Sequence, residues 1–436
     1  MKEPAGREKG QVLVAFVLTA TFLLAMIGLA IDVGMAYLVK TKLRAAVDAA
    51  ALAAGKVAPQ GEVTAGAEAA RFFAANYPDG LLGAQVVAPT TVVTEEDQSW
   101  HVTVSATAML PSYFAKAVGT RQFVVSASAT TTLSPVDLVL VLATPERPGD
   151  QALEAAKAAA GRFLGNFNPE SDRVGLIRFA NGVEARDEFR IREKRGFDLR
   201  RMQDYLAGPE AREPGYAVVE EALRVAKAQL DSLPKPRQSK RRIIVLFAAG
   251  APNGMVARFE TGTGEAVGAL SSQDGGLYPL YQRDEVSSPL RRSALSLNTL
   301  PEMDWSGTVL VKSFNAAREL LTVANSFDEQ KCNVDRAARN MAENVADAAR
   351  GESGLQGYPI TIHVIGRGSK LSEIEAACPS YGNNEKGENI MRRLANVNGV
   401  DTYNANQPSG TYFSAEPEEF DAAFRKVATS VLRLSR

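Results

Sequence analysis

The sequence predicts an α/β chain in which a doubly wound, mostly parallel sheet follows an apolar anchor helix and a small α+β module. Three observations carry that expectation. An uncharged run extends from Gln11 to Ile31, alternating segments lie between Gln85 and Thr132, and from Pro135 onward short apolar runs alternate with helical stretches. Strands that are apolar on both faces and separated by helices belong in a parallel sheet covered on both sides.

The elements follow in order. Residues 1–10 form a short tail carrying Lys2, Arg7 and Lys9. Residues 11–31, as a helix, reach roughly 30 Å, enough to cross the hydrocarbon core of a bilayer. An uncleaved, single-pass anchor is the expectation. Gly28, Leu29 and Ala30 keep open a cleaved secretory signal, with release after Ala30. Lys40, Lys42 and Arg44 balance the basic residues of the tail, so charge does not set orientation. Long domains are translocated largely regardless of charge, which places the tail in the cytoplasm and the bulk outside the cytoplasmic membrane. Asp32 lies just past the anchor, where a carboxylate either makes a functional contact or, as expected here, reaches the water interface.

Ala45 to Ala54 is nearly all alanine and leucine around Asp48, so the anchor helix is expected to continue beyond the membrane. Its small residues admit the close approach of another helix, including one from a second copy in an oligomer built through the anchor. Asp48 itself is either partner-facing or solvated. An amphipathic segment from Glu62 to Tyr77 is closed by Pro78, Asp79 and Gly80. Strands are predicted over Gln85 to Thr94, Trp100 to Ala108 and Gln122 to Thr132, with EEDQS as a hairpin turn and a short helix within Pro111 to Gly119. In the second strand Val102, Val104 and Ala106 face one way and Thr103, Ser105 and Thr107 the other.

Residues 135–436 carry the larger domain: VDLVLVL, QALEAAKAAAGRFL, DRVGLIRFA, a helix around Tyr216 to Leu230, RRIIVLFAA, a helix within Ala316 to Ala349, YPITIHVIG, and a closing helix from Pro417 to Leu434. An insertion at about 261–308, rich in Gly, Ser, Pro and charge, is too long for an ordinary connection. It reads equally as a recognition loop or as surface decoration.

Composition narrows the function. The 436 residues are 45% hydrophobic and 23% charged, which fits two folded domains, and a net charge of -1 gives no field for nucleic acid. The only histidines, His101 and His363, sit in predicted strands and read as structural. Cys332 and Cys378 form at most one disulfide, which an extracytoplasmic location permits; burial as free thiols is the alternative. There is no GxSxG, Walker or HExxH motif, and TGTGEAVG from Thr261 falls outside any strand-to-helix context that cradles phosphate. No cofactor and no enzymatic role are expected.

The string GLAIDVGMAYLVKTKLRAAVDAAALAAG, from Gly28 to Gly55, is similar to the amino-terminal signature of the TadG-like proteins of tight-adherence (Flp) pilus assembly. That resemblance implies an anchor and, for residues 32–134, an extended helix with a pilin-like module. Prepilin-type cleavage after Gly10 would expect a glutamate where this chain has Ala15. In the second half, DRVGLIRFA, RRIIVLFAAGAPN and ITIHVIGRG, in that order, resemble a von Willebrand factor type A domain, a Rossmann-like fold.

In that family the first strand ends in Asp-x-Ser-x-Ser, whose oxygens help hold a divalent cation. Carried onto VLVLATPERPG, the motif places Ala143, Pro145 and Arg147 at the three ligand positions. The later threonine position falls near Glu213, and the aspartate after the fourth strand falls on Ala249 in FAAGAPN. The resemblance therefore implies a type A fold without its cation site, leaving Thr144, Glu146, Arg147 and Asn253 as candidate protein-binding residues. Two alternatives stay open. Glu146, Glu213 and Asp150 would build a displaced metal site, or Arg147 would fork onto a partner carboxylate in place of the cation, unless it pairs with Glu146 or faces water.

Two function classes follow. One is a membrane-anchored assembly protein whose partners are pilus-assembly or cell-envelope proteins. The other is an extracytoplasmic adhesion module recognising a surface or cell-wall ligand. A displaced site acting as a hydrolase is a third and would need two converging carboxylates.

Overall fold

The computed structural model describes residues 8–96, 98–144, 150–208, 217–261, 264–272, 276–279, 320, 326–351, 357–373 and 385–433. The chain divides into two compact units, Met1–Ser134 and Pro135–Arg436.

In the first unit one helix, α1 (Glu8–Val57), runs through the apolar stretch and on into the alanine-rich segment. Its two halves have opposite surroundings. Val12, Phe16, Phe22 and Leu24 are 64–69% exposed, whereas Val39, Leu43, Ala46, Val47, Ala50 and Ala54 are buried at helical spacing. The buried stripe packs on α2 (Glu62–Asn76) through Ala65, Ala69 and Phe73, and on an antiparallel sheet of β1 (Gln85–Glu96), β2 (Ser99–Pro111) and β3 (Gln122–Leu133). The close helix approach expected of the small residues is therefore made within the chain, by α2. Asp48 is exposed.

The alternation read in β2 holds. Val102, Val104, Ala106, Ala108 and Leu110 are buried against the helices. The opposite face carries a ladder of hydroxyl pairs with β3: Thr103 with Thr130 at 2.9 Å, Ser105 with Ser128 at 2.9 Å, and Thr107 with Ser126 at 3.0 Å. The expected EEDQS loop is shorter than predicted, because Glu95 pairs with Trp100 and Glu96 with Ser99, and Gln98 takes the left-handed φ of 60° that a tight turn requires.

Asp32 overturns its expectation. It is 1% exposed, and its carboxylate accepts the backbone N–H groups of Tyr113 at 3.1 Å, Phe114 at 2.9 Å and Ala115 at 2.6 Å. These donors open a 3-10 turn, Ala115–Val118, whose first N–H groups lack partners within the turn. The carboxylate satisfies them from across the fold, which is why it does not turn to water. One turn earlier Gly28 is required by packing: a Cβ there would lie 2.7 Å from the Cβ of Phe114.

The second unit is built on β4 (Val136–Ala143), α3 (Gln151–Leu164), β5 (Arg173–Phe179), β6 (Val183–Glu184), α4 (Leu199–Ala207), α5 (Val219–Asp231) and β7 (Arg241–Ala248). It continues with β8 (Gly254–Thr261), β9 (Gly264–Ser271), β10 (Leu277–Pro279), α6 (Phe327–Arg350), β11 (Ile360–Arg367), α7 (Gly368–Leu371), α8 (Gly387–Leu394), β12 (Tyr412–Ala415) and α9 (Phe420–Arg433). Six strands form one sheet in the order β12-β11-β7-β4-β5-β6, parallel except for β6. Helices α5 and α6 pack together, as do α3 and α9. Phe247 on β7 meets Phe420 edge-on at 4.9 Å, and Phe163 of α3 lies 5.3 Å from Phe424 of α9.

The predicted insertion is corrected at its start. Thr261 and Gly264 are the last pair of an antiparallel ladder between β8 and β9, and β10 adds a third antiparallel strand, so this segment joins two strands and not a strand to a helix. The rest of that segment, residues 280–319, lies outside the described residues. Cys332 is fully buried on α6, and Cys378 lies outside the described residues.

At the amino edge of the sheet the apolar strands begin on buried charges. Asp137 accepts from the Ser239 N–H at 2.7 Å and its hydroxyl at 2.9 Å and pairs with Arg173 at 3.1 Å. Arg173 also donates to the carbonyls of Arg237 and Glu193. Removing one member of such a pair strands the other charge in a low-dielectric interior. Asp137→Ala should therefore destabilise the second unit by about 3 kcal/mol or more. Asp137→Asn, which keeps an acceptor for Ser239, should cost less; thermal unfolding of the full chain in detergent checks both.

Candidate functional site

In this strand order the chain leaves β4 toward β5 and later returns to β7 on the other side of β4. The crevice at the carboxyl ends of β4 and β7 is thus the topological switch point, where ligands of open α/β sheets bind. The ends of three strands meet there, and each delivers a side chain fixed by the sheet register.

From β4 come Ala143 and Thr144, each 1% exposed. The Thr144 N–H and hydroxyl both donate to the Phe179 carbonyl, at 2.7 and 3.3 Å. Expected as a docking residue, Thr144 is instead turned back onto β5 and closed to an external partner. From β7 come Ala248 and Ala249, buried at 1% and 4%. Gly250 follows, partly exposed, and a Cβ added there would meet nothing within 4 Å.

From β5 the chain passes through Ala180, whose carbonyl accepts from Val218 N–H at 3.0 Å, to Asn181. Asn181 is 1% exposed, yet neither its amide nitrogen nor its amide oxygen has a hydrogen-bond partner. A buried amide without partners is costly, which marks this point of the edge as polar and unsaturated. Asn253 serves the scaffold: its side-chain oxygen accepts the Ala217 N–H at 2.7 Å.

Candidate displaced ligands are differently engaged. Asp150 caps α3, accepting the N–H groups of Ala152 at 2.8 Å and Leu153 at 3.3 Å. Pro145, Glu146, Arg147 and Glu213 lie outside the described residues.

Sequence reasoning missed Glu220, in the first turn of α5, where an acidic residue ordinarily reads as solvated. It is buried, and its Oε1 accepts the Val256 N–H at 2.7 Å. Burial, opposed by that bond and reinforced by the neighbouring Glu221, pushes its carboxyl up to about 8, so it holds a proton at neutral pH. Beside the β5 end, Arg178 is also buried. It pairs with Glu184 at 2.9 Å and lies over the Tyr205 ring at 3.9 Å. The histidines are structural. His363 is buried with Nδ1 2.8 Å from the Thr411 hydroxyl, and burial lowers its imidazole to about 4; His101 bonds the Thr132 hydroxyl at 3.0 Å.

A divalent cation requires anionic oxygens in close array. Among the described residues this edge offers methyl groups at Ala143 and Ala249, a Thr144 hydroxyl turned onto Phe179, a single buried carboxyl, Glu220, bonded to Val256, and an amide at Asn181. That donor set does not fit such a cation.

The model of putative Flp pilus-assembly TadE/G-like proteins matches residues 10–70, and that of the von Willebrand factor type A domain matches residues 137–275. The chain carries a TadE/G-like segment followed by a von Willebrand factor type A domain. Among solved structures, it is similar to the von Willebrand factor domain of the type V pili tip protein Mfa5 from Porphyromonas gingivalis. The identity is 17%, over 70% of this chain and 97% of that one, with a TM-score of 0.39. It is similar also to the minor pilin PilB from Streptococcus sanguinis, at 13% identity over 79% and 78% of the two chains and a TM-score of 0.38. No match to a curated protein was found. The type A assignment rests on the family match and on the strand order of the sheet, not on these distant likenesses.

Glu220 supplies a pH test. Its folded-state value of about 8 lies above the ordinary 4.5, so the folded chain keeps a proton that the unfolded chain releases. Stability should therefore fall as pH rises from about 4.5 to 8, by up to about 4 kcal/mol. Glu220→Gln keeps the acceptor for Val256 and removes the titration. It should melt near the parent at pH 5 and above it at pH 8; identical melting of the two proteins at both pH values would show that Glu220 does not carry this proton.

Proposed function

We propose that this chain is a membrane-anchored structural or assembly protein of a tight-adherence (Flp) pilus or related secretion machine. Its type A domain serves as a protein-docking platform that works without a cation. The observation that carries the reading is the pairing of a TadE/G-like segment with a type A sheet whose switch-point strands end in Ala143 and Ala249. In this reading residues 11–31 cross the inner membrane, residues 1–10 stay in the cytoplasm and residues 135–436 lie in the periplasm. Support for the anchor comes from α1, which is long and apolar enough to span a bilayer and leaves that stretch almost wholly exposed. Partners are pilus-assembly or cell-envelope proteins, and no catalytic role is assigned.

Two measurements test it. Millimolar Mg²⁺, Mn²⁺ or Ca²⁺ should leave the Tm of the full chain in detergent unchanged. A bound cation at a hundred times its Kd would add about 2.7 kcal/mol, so a saturable rise of several degrees would overturn the cation-free edge. Because the space beside Gly250 is open, a photo-crosslinking amino acid in its place samples the edge without disturbing it. In living cells it should capture pilus-assembly or envelope proteins. Capture of only an extracellular ligand would favour the adhesion reading instead, and capture of nothing would remove docking from this edge.

A further inference from the structure

The loop between β2 and β3 projects two aromatic side chains, Tyr113 at 50% and Phe114 at 51% exposure, with Lys116 and Arg121 exposed beside them. Its backbone is fixed to α1 by the three hydrogen bonds to Asp32, and Phe114 rests against Gly28. The aromatic pair is therefore held at one level of α1, where Ile27, Leu29 and Ile31 are themselves 41–58% exposed. Together they prolong the apolar surface of residues 12–31 sideways at its carboxyl end, a continuous patch that water would not favour.

Gly28 lies roughly 25 Å along the helix from Gln11, close to the thickness of the hydrocarbon core. That depth is the headgroup boundary, where amphipathic aromatic rings concentrate and where lysine and arginine reach lipid phosphates. We propose that the Tyr113 and Phe114 turn is a membrane-interface contact. Its partner is the phospholipid bilayer that α1 crosses, and it fixes the depth of α1 in that bilayer.

The inference rests on the anchor reading of α1. It also accounts for Asp32. A carboxylate one turn beyond Gly28 would face the edge of the hydrocarbon, where an unpaired charge is costly. Three backbone donors remove that cost and, by the same bonds, hold the aromatic turn against the helix.

The test uses the full chain with Trp100 and Trp305 replaced by phenylalanine and a single tryptophan introduced as Phe114→Trp or Phe22→Trp. Each protein is reconstituted in phosphatidylcholine–phosphatidylglycerol vesicles containing lipids brominated at a chosen acyl depth. The Phe114→Trp emission should be blue-shifted and quenched most by bromine near the headgroup, and Phe22→Trp most by bromine near the bilayer centre. Adding Asp32→Ala should lower the quenching of the first by about twofold or more and leave the second unchanged. A Phe114→Trp probe quenched by aqueous iodide and not by bromolipid, with Phe22→Trp still quenched by bromolipid, overturns the interface contact and leaves the anchor standing. If neither probe senses bromine, the anchor reading fails and the contact falls with it.

Discussion

A strand buried along its whole length can carry polarity only at its two ends, and β4 constrains the type A unit in that way. At its amino end the charge of Asp137 is allowed because Arg173 and Ser239 supply a counter-charge and two hydrogen bonds inside the protein. At its carboxyl end the buried charge on the neighbouring strand, Arg178, is already paired with Glu184. Ala143 brings no polar atom, and Thr144 spends its hydroxyl on the carbonyl of Phe179. Among the described residues, β4 thus carries a paired charge at its amino end and no charge of its own at its carboxyl end.

The first unit applies the same economy to a helix. Over one half α1 presents apolar side chains outward; over the other it buries an alanine and valine stripe against α2 and the small sheet. The change occurs within a few turns, and Asp32 stands in it. There the outward-facing apolar side chains of the helix give way to a stripe buried in the module. A carboxylate can occupy that boundary because the turn after β2 brings three otherwise unpaired N–H groups to it.

Much of this was legible in the sequence. Helix α3 was readable to the residue, and the two-faced pattern of β2 gave its burial, because local periodicity reports on one element at a time. What escaped were contacts between residues far apart in the chain. Nothing near Asp32 signals that Tyr113, Phe114 and Ala115 will converge on it, and nothing near Asp137 points to Ser239. Glu220 looked like an ordinary acidic residue in a first helical turn, and only the fold shows it enclosed and bonded to Val256. The pairing of β8 with β9 is hidden because Gly, Ser and charge in this stretch give the composition of a loop while the strands are short.

On the proposed reading, the switch-point edge has lost a metal-binding pattern as a whole. Carboxylates clustered in a low-dielectric crevice repel one another, and without a cation each must take up a proton or leave. Both outcomes fit what stands at this edge on the proposed reading. Ala143 and Ala249 occupy ligand positions with side chains that need no compensation, while Glu220 stays because it can be neutral and can accept a backbone N–H. An edge neutralised in this way can meet a protein surface by shape and hydrogen bonding alone. The amide of Asn181 and the second carboxyl oxygen of Glu220 are the parts of it whose hydrogen-bonding capacity remains unused.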